Sequence, residues 1–384
     1  MKWCLLSILI TLTNAGNHNL PKFTLIEERS DNGSPSVMIT FPNGLDDKLI
    51  LNKYYLNEEQ EQLGAEHCNF IGHLENDLDA CVALTGCPGL DEFVELTIMS
   101  DHLTASSFKW RKNGQVEVNK LSGLPHLAHE RAEENNENDL LPESHEQETL
   151  EFAIAEFCWN GWGWSCPKNP SRPGGGGGAR PKPDQKTHIL HYKIRYDDNF
   201  KARNYHYQLN PVMTHVQARV CHHTLGQKYQ LRLVDYKHLP GQRWPNSFMH
   251  IKNMAGQAQR DVGSAQLVIY MGVADANACG SSCIGGEAWR GTMCNNHKGN
   301  YCQMNYWSWA GMSDFAHGVT HELGHFLGAS HDTGNNCGND KGIEGGNPDR
   351  WSACSRRDIQ AHYTAYKNRW CMSAAPSACS GVGR

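Results

Sequence analysis

Apolar and polar positions follow two different rhythms along this chain. From residue 16 to about 150, short alternating segments such as Phe93-Val-Glu-Leu-Thr-Ile-Met99 are separated by Gly, Pro and Asn. That pattern predicts a β-rich unit. From Lys186 onward the rhythm changes. Leu190, Tyr192, Ile194 and Tyr196 alternate with His191, Lys193 and Arg195, the signature of a half-buried strand. Asn210 is placed to cap a helix and Pro211 to open it, and Val212, Val216 and Val220 recur one turn apart until Gly226. Tyr229, Leu231 and Leu233 then alternate as a second strand, and Gln266–Met271 is an apolar run suited to a buried one. A further helix is expected within residues 313–332. Strand–helix–strand–helix order makes this half α/β, and no internal repeat is visible.

Composition adds boundaries. A chain of 384 residues suggests two domains at ~150 residues each. Met1–Ala15 carries Lys2, the apolar run Trp3–Leu12 and a small-residue end, as a secretory signal does. No later stretch reaches the ~18 continuous apolar residues that a membrane span needs, so a secreted, extracellular protein is expected. Residues 130–156 are crowded with glutamates and read as a solvated connector. Cys158-Trp-Asn-Gly-Trp-Gly-Trp-Ser-Cys166 follows, either a packed, disulfide-closed knob or a contact patch. The tract Pro167–Pro183, with five consecutive glycines, is a flexible linker. The expected division is 1–15 signal peptide, 16–156 N-terminal domain, 157–185 linker and 186–384 second domain. A formal charge of −6 leaves no nucleic-acid footprint. Asn32-Gly-Ser34 is a glycosylation sequon, compatible with secretion. Without Cys4 the chain holds 14 cysteines, an even number that reads as a disulfide framework. Residues 16–185 hold five of them and 186–384 nine, both odd counts. Either one bridge crosses the boundary or each part keeps a free thiol.

The candidate chemistry lies in residues 313–332. His321 and His325 stand four residues apart, which on a helix aims both imidazoles from one face. Together with His331 they can fill three of zinc's four tetrahedral positions and leave one for water. Glu322 follows the first histidine, where the general base of a zinc peptidase stands. Ser313 or Asp314 can cap the helix, and Gly328 can take the left-handed conformation that ends it and turns the chain toward His331. His317, one turn before His321, reads as a supporting or solvated histidine, since a fourth protein ligand would close the site.

The string from His321 to Asp332 resembles the metzincin signature, and Asp332 after the third histidine resembles the reprolysin (adamalysin) branch, which includes the ADAM and ADAMTS proteases. Ala265-Gln-Leu-Val-Ile269, Ile284-Gly-Gly-Glu-Ala-Trp-Arg-Gly-Thr-Met-Cys294 and Trp351-Ser-Ala-Cys354-Ser355 are similar to further segments of that protease domain. Cys68-Asn-Phe-Ile-Gly-His73 and Leu84-Thr-Gly-Cys87-Pro-Gly-Leu90 are similar to its propeptide. The resemblance covers a propeptide and a protease domain only. It implies a metzincin-type α/β domain, a mixed twisted sheet with a long zinc-binding helix, preceded by a β-rich propeptide that inhibits it. It implies a monomeric secreted zinc endopeptidase acting on protein or peptide substrates, with Zn(2+) on His321, His325 and His331 and with Glu322 as base. It also implies bridges Cys294–Cys371 and Cys337–Cys354. A substrate would add as a strand along a sheet edge. Tyr301–Trp309 is a candidate for that edge, or its aromatics are core.

Three features depart from the family. The methionine of its turn beneath the histidines is missing, and the corresponding stretch reads Gly342-Ile343-Glu344-Gly345. Acidic residues that bind calcium in relatives appear as Gly263 and Ala374, so calcium is not expected. No dibasic processing run occurs in 157–190. A free propeptide thiol, Cys158 or Cys166, is a candidate fourth zinc ligand that silences the zymogen; an ordinary Cys158–Cys166 pair is the other possibility. A homologue that binds partners without cleaving them is the alternative function.

Overall fold

The computed structural model describes residues 20–118 and 187–375, apart from 28–33, 56–67, 101–102, 104–105, 222–224, 226–227, 245–253, 275–284, 295–299, 308–310, 333–336, 339, 346–349 and 367–372. The expected signal segment, sequon residue Asn32, acidic connector, Trp-rich loop, glycine tract and Cys371 lie outside the described residues.

The first half forms an eight-stranded meander: β1 (Lys22–Glu27), β2 (Ser36–Thr40), β3 (Asp46–Lys53), β4 (Asn69–Leu74), β5 (Cys81–Thr85), β6 (Phe93–Met99), β7 (Ser107–Arg111) and β8 (Val116–Val118). Each strand pairs antiparallel with the next. This is the β-rich unit that the alternation predicts. Phe23, Ile39, Leu49, Phe70, Leu84 and Phe108 belong to the core on one face. The Cys68–Cys87 bridge ties the start of β4 to the turn after β5, with Cα atoms 5.0 Å apart. Every residue of β5 is buried, because this strand is covered on both faces.

What covers the second face comes from the other half of the chain. There the elements run β9 (Thr187–Tyr196), α1 (Asp198–Ala202), α2 (Leu209–Cys221), β10 (Lys228–His238), α3 (Ala255–Val262), β11 (Leu267–Ala274), β12 (Gly286–Ala288), β13 (Tyr301–Trp307), α4 (Met312–Phe326), α5 (Ala353–Tyr366) and β14 (Ser373–Ala375). The sheet order is β10-β9-β11-β13-β12, and β14 also pairs with β9. β9, β10, β11 and β13 are mutually parallel, while β12 and β14 run antiparallel to their neighbours. The α/β order predicted for this half is present.

Some local expectations change. α2 starts at Leu209, directly after a 3-10 turn over Tyr205–Gln208, and is described as far as Cys221; Gly226 lies outside the described residues. Asn210 therefore lies inside the first turn, and its side-chain amide has no hydrogen-bond partner. Tyr301–Trp309 is not the sheet edge: β13 lies between β11 and β12, and the edge strand is β12. Tyr301 and Tyr306 are buried, so the core reading of that segment holds for them. A parallel strand buried on both faces reads as a run of large residues, which a short edge strand need not show. No helix among the described residues is long and apolar enough to cross a membrane.

The two halves meet along α2. Cys81, Ala83 and Met99 of the meander pack against Ala218 and Cys221, small side chains that let the helix approach β5 closely. Within that contact His215 is buried, with Nε2 3.0 Å from Thr85 Oγ1 and Nδ1 2.8 Å from Thr97 Oγ1. Arg219, also fully buried, donates to Ser107 Oγ at 3.0 Å on one side and to Ser313 Oγ at 3.4 Å on the other. Tyr54 Oη donates to the Leu231 carbonyl, and Lys228 pairs with Asp79 at 3.0 Å. The contact is therefore apolar in the middle and specified by buried polar bonds.

Part of the cysteine framework is described in the same region. Cys81 and Cys302 are free and buried, one in each half. Among the described residues each half thus keeps a free thiol, and Cys221 and Cys294 are disulfide-bonded. A free Cys158 or Cys166 is no longer needed to account for the odd count of the first half, and both lie outside the described residues. Burial pushes the Cys81 thiol far up, so it stays protonated.

Burial, with the Arg219 charge adding, lowers the His215 pKa to about 3. An unfolded histidine titrates near 6.5, so the unfolded chain binds more protons between those values and stability rises with pH there. Wild type should lose about 2 kcal/mol between pH 7 and pH 5 from this residue alone. His215→Gln, which keeps a donor and an acceptor, should flatten the pH dependence of denaturant unfolding by that amount. Parallel curves for the two proteins would refute the assignment.

Candidate metal centre

α4 is buried on all sides from Ser313 to Phe326. Phe315, Val319, Leu323 and Phe326 join the main core, and α2 packs alongside. The helix begins at Met312 with Gly311 as its N-cap, not Ser313 or Asp314. Asp314 reaches back and accepts the Gly311 N–H at 3.0 Å, satisfying a donor that the first turn leaves open. At the other end Ala329 N–H donates to the Gly324 carbonyl and Gly328 N–H to the His325 carbonyl, both at 2.8 Å. This is a Schellman closure, with Gly328 at φ +113° in the conformation the sequence reading assigned to it. The turn then returns the chain over the helix end and delivers His331.

His321, His325 and His331 converge as a result. Their Nε2 atoms lie 3.2 Å (His321–His331), 3.2 Å (His321–His325) and 3.0 Å (His325–His331) apart. Three nitrogens bound to one tetrahedral zinc at ~2.05 Å sit about 3.3 Å from each other, so the set fits the ion. The opposite ring nitrogens support this reading. His325 Nδ1 lies 2.9 Å from the Ala329 carbonyl and His321 Nδ1 3.2 Å from the Ile343 carbonyl. A carbonyl only accepts, so the proton sits on Nδ1 and the Nε2 lone pair is free to ligate. Burial lowers the His321 pKa to about 4, which keeps the ring neutral at neutral pH. His317 is buried beside Arg219 and stands outside this group, so the solvated option falls away.

Glu322 is buried, and its Oε2 has no hydrogen-bond partner. The edge strand β12 presses on it: a Cβ on Gly286 would come within 2.3 Å of Glu322 Oε1. Burial, with the Glu287 carboxylate adding, pushes the Glu322 carboxyl well above the usual carboxylate range. A cation at the histidines would act in the opposite direction.

One residue outside the expected ligand set joins the cluster. Glu344, at the position where the sequence lacks a methionine, lies with its ligand oxygen within 4.8 Å of the three histidine donors. Asp332 holds that turn. Its carboxylate accepts from Ser352 Oγ, from Ser355 Oγ at 3.0 Å and from the Gly342 N–H at 2.8 Å. The Cys337–Cys354 bridge closes the same loop, with Cα atoms 5.7 Å apart. Cys294 is also disulfide-bonded, and its expected partner Cys371 lies outside the described residues. No composition or spacing signal pointed to Arg290, Glu287 or Arg219 as neighbours of this centre.

A side-chain cluster that could hold a metal ion, with a buried carboxylate on the same helix, is the class of site this geometry describes. Comparison with known proteins agrees: residues 202–378, a little under half the chain, match the family model Reprolysin_5, described as Metallo-peptidase family M12. The similarity supports a metallopeptidase, and the matched span contains α4, His331 and Glu344. Among solved structures the chain is similar to metalloproteinase-II from Bacteroides fragilis, at 11% identity and a TM-score of 0.38, covering 90% of this chain and 92% of that one. At that score the likeness carries no argument. No curated protein is significantly similar in sequence.

Asp332→Ala should leave the Ser352, Ser355 and Gly342 donors unsatisfied and cost about 3 kcal/mol of stability. Denaturant unfolding of the two proteins checks this; a loss below 1 kcal/mol would show that the turn does not depend on Asp332.

Proposed function

We propose that this chain is a secreted zinc-dependent endopeptidase, in which His321, His325 and His331 hold the metal and Glu322 is the general base. The observation that carries the reading is the convergence of three imidazole Nε2 atoms, two of them on rings whose Nδ1 faces a backbone carbonyl, with a buried carboxylate on the helix that carries those two. Zinc bound there supplies Lewis acidity, which makes a water nucleophilic near neutral pH and polarises the scissile carbonyl. The Glu322 carboxylate takes the proton of the water whose oxygen bonds to the carbonyl carbon. As the C–N bond breaks, the Glu322 carboxyl gives that proton to the leaving amine nitrogen. No serine or cysteine nucleophile is required.

Substrate binding follows from β12. Among the described residues this edge strand pairs only with β13, and its backbone lies against Glu322. An extended peptide adding as a strand there would bring its own backbone toward the base. Extracellular location rests on the Met1–Ala15 segment. The meander, as a propeptide, would restrain the domain through α2, whose Arg219 reaches the first turn of α4. Glu344 favours the second reading, a homologue that binds but cleaves little, because a protein carboxylate beside the ligands competes with the open position that catalysis needs.

The test uses the full chain, intact and after limited proteolysis between residues 119 and 186, against an unfolded protein substrate. Cleavage should fall about 10²–10⁴-fold in Glu322→Ala and vanish with a zinc chelator. Zinc-loaded, folded wild type without activity in either form would decide for the binding protein.

A further inference from the structure

Glu344 is fully buried, and neither carboxylate oxygen has a hydrogen-bond donor. A carboxylate in that state is costly unless something positive stands beside it. Its nearest polar atoms are those of the histidine cluster: Oε2 lies 3.3 Å from His321 Nδ1 and 3.4 Å from His325 Nε2. The His321 nitrogen already faces the Ile343 carbonyl at 3.2 Å, so its proton has another acceptor. The surroundings are acidic. Asp332, Glu322 and Asp358 all act on Glu344 with negative charge, against Arg290.

Space has been made for this group. A Cβ on Gly324 would come within 1.9 Å of Glu344 Oε1 and 2.8 Å of the Trp351 ring. Only a glycine between the two helix histidines admits both the carboxylate and the indole behind it. The turn carrying Glu344 is pinned by Asp332 through Gly342 and by the Asp332 N–H to the Glu344 carbonyl at 3.3 Å. The carboxylate is thus held in a dry slot with a ligand oxygen within 4.8 Å of the three histidine donors, in contact with His325 Nε2.

We propose that Glu344 is a fourth protein donor of the metal centre, making it a three-histidine, one-carboxylate site; this rests on the metal-binding reading above. The separation of 3.4 Å from His325 Nε2 is close to the ~3.3 Å expected for two donors of one tetrahedral ion. A carboxylate donor brings one negative charge to a cation that three neutral imidazoles leave uncompensated. It tightens the hold on the ion and weakens its Lewis acidity. A water can then join only if the ion expands to five donors or Glu344 withdraws.

The experiment compares the full chain with Glu344→Gln, which keeps the volume and removes the charge. Zinc affinity is read by competition with a chromophoric chelator, and the ligand set by the visible absorption of the cobalt(II)-loaded protein. Glu344→Gln should bind zinc 10–100-fold more weakly, gain less thermal stability from zinc, and show a shifted cobalt spectrum. If Glu344→Gln fails to fold, Glu344→Asp, which draws the carboxylate back by one methylene, is read in the same two assays with the same expectation. Unchanged affinity together with an identical cobalt spectrum would overturn the assignment while leaving the three-histidine site standing. Wild type that binds no zinc would overturn both.

Discussion

Three imidazole Nε2 atoms converge on one point, and lone pairs brought together there repel each other. The Nε2 atoms stand 3.0–3.2 Å apart, and the two helix histidines have their Nδ1 atoms on backbone carbonyls, so no proton needs to lie among them. A shared cation turns this arrangement from costly to favourable. The surrounding structure holds the three rings where the cation needs them. α4 fixes two by its pitch, the Schellman closure at Gly328 fixes the return of the third, and the Asp332-anchored loop supplies the Ile343 carbonyl. Asp332 directly follows His331, so one short segment carries both a proposed ligand and the anchor of the loop beneath it.

Support for α4 reaches back to the meander. α2 packs on α4 with one side and on β4, β5 and β6 with the other. Arg219 bridges the two contacts, its guanidinium shared between Ser107 and Ser313 and its carbonyl accepting from the Trp351 indole at 2.9 Å. Trp351 in turn lines the slot at Gly324. A continuous chain of packed and hydrogen-bonded side chains therefore runs from the N-terminal sheet to the floor of the metal centre. Separating the halves would expose Arg219 and His215 together, so the interface and the helix behind the site are energetically linked.

Much of this was legible in residue order. The period-two alternation of Leu190–Tyr196, the valine spacing in α2 and the histidine spacing in α4 each report which face is buried, and burial is what the fold satisfies first. What the periodicity missed has physical causes. β12 is three residues long, too short for any period to register, which left the longer Tyr301–Trp309 as the candidate edge beside its core reading. The start of α2 was displaced because the preceding 3-10 turn over Tyr205–Gln208 runs into it without a cap. The odd cysteine count of each half allowed a free thiol, but that Cys81 and Cys302 are buried and unbridged depends on packing between distant segments. Glu344 stood out as a departure from the family, but its approach to the histidines depends on the Asp332 anchor and the Gly324 gap, which are contacts between distant segments.

A carboxylate in place of an apolar side chain beneath metal-binding histidines changes the balance between holding an ion and using it. Three neutral nitrogens leave the ion's charge to act on water and carbonyl; an added anion beside them spends part of that charge on affinity. The acids around the site act in the same direction: Glu287 adds to Glu322, and Asp332 and Asp358 add to Glu344, with Arg290 the opposing cation acting on Glu344. Such a field raises the cost of an empty centre and lowers the acidity of a water in a filled one. With Glu344 as the proposed fourth donor, a metal bound here would be retained firmly. The rate of the proposed peptidase would then depend on how far Glu344 is kept from the ion when a peptide lies along β12.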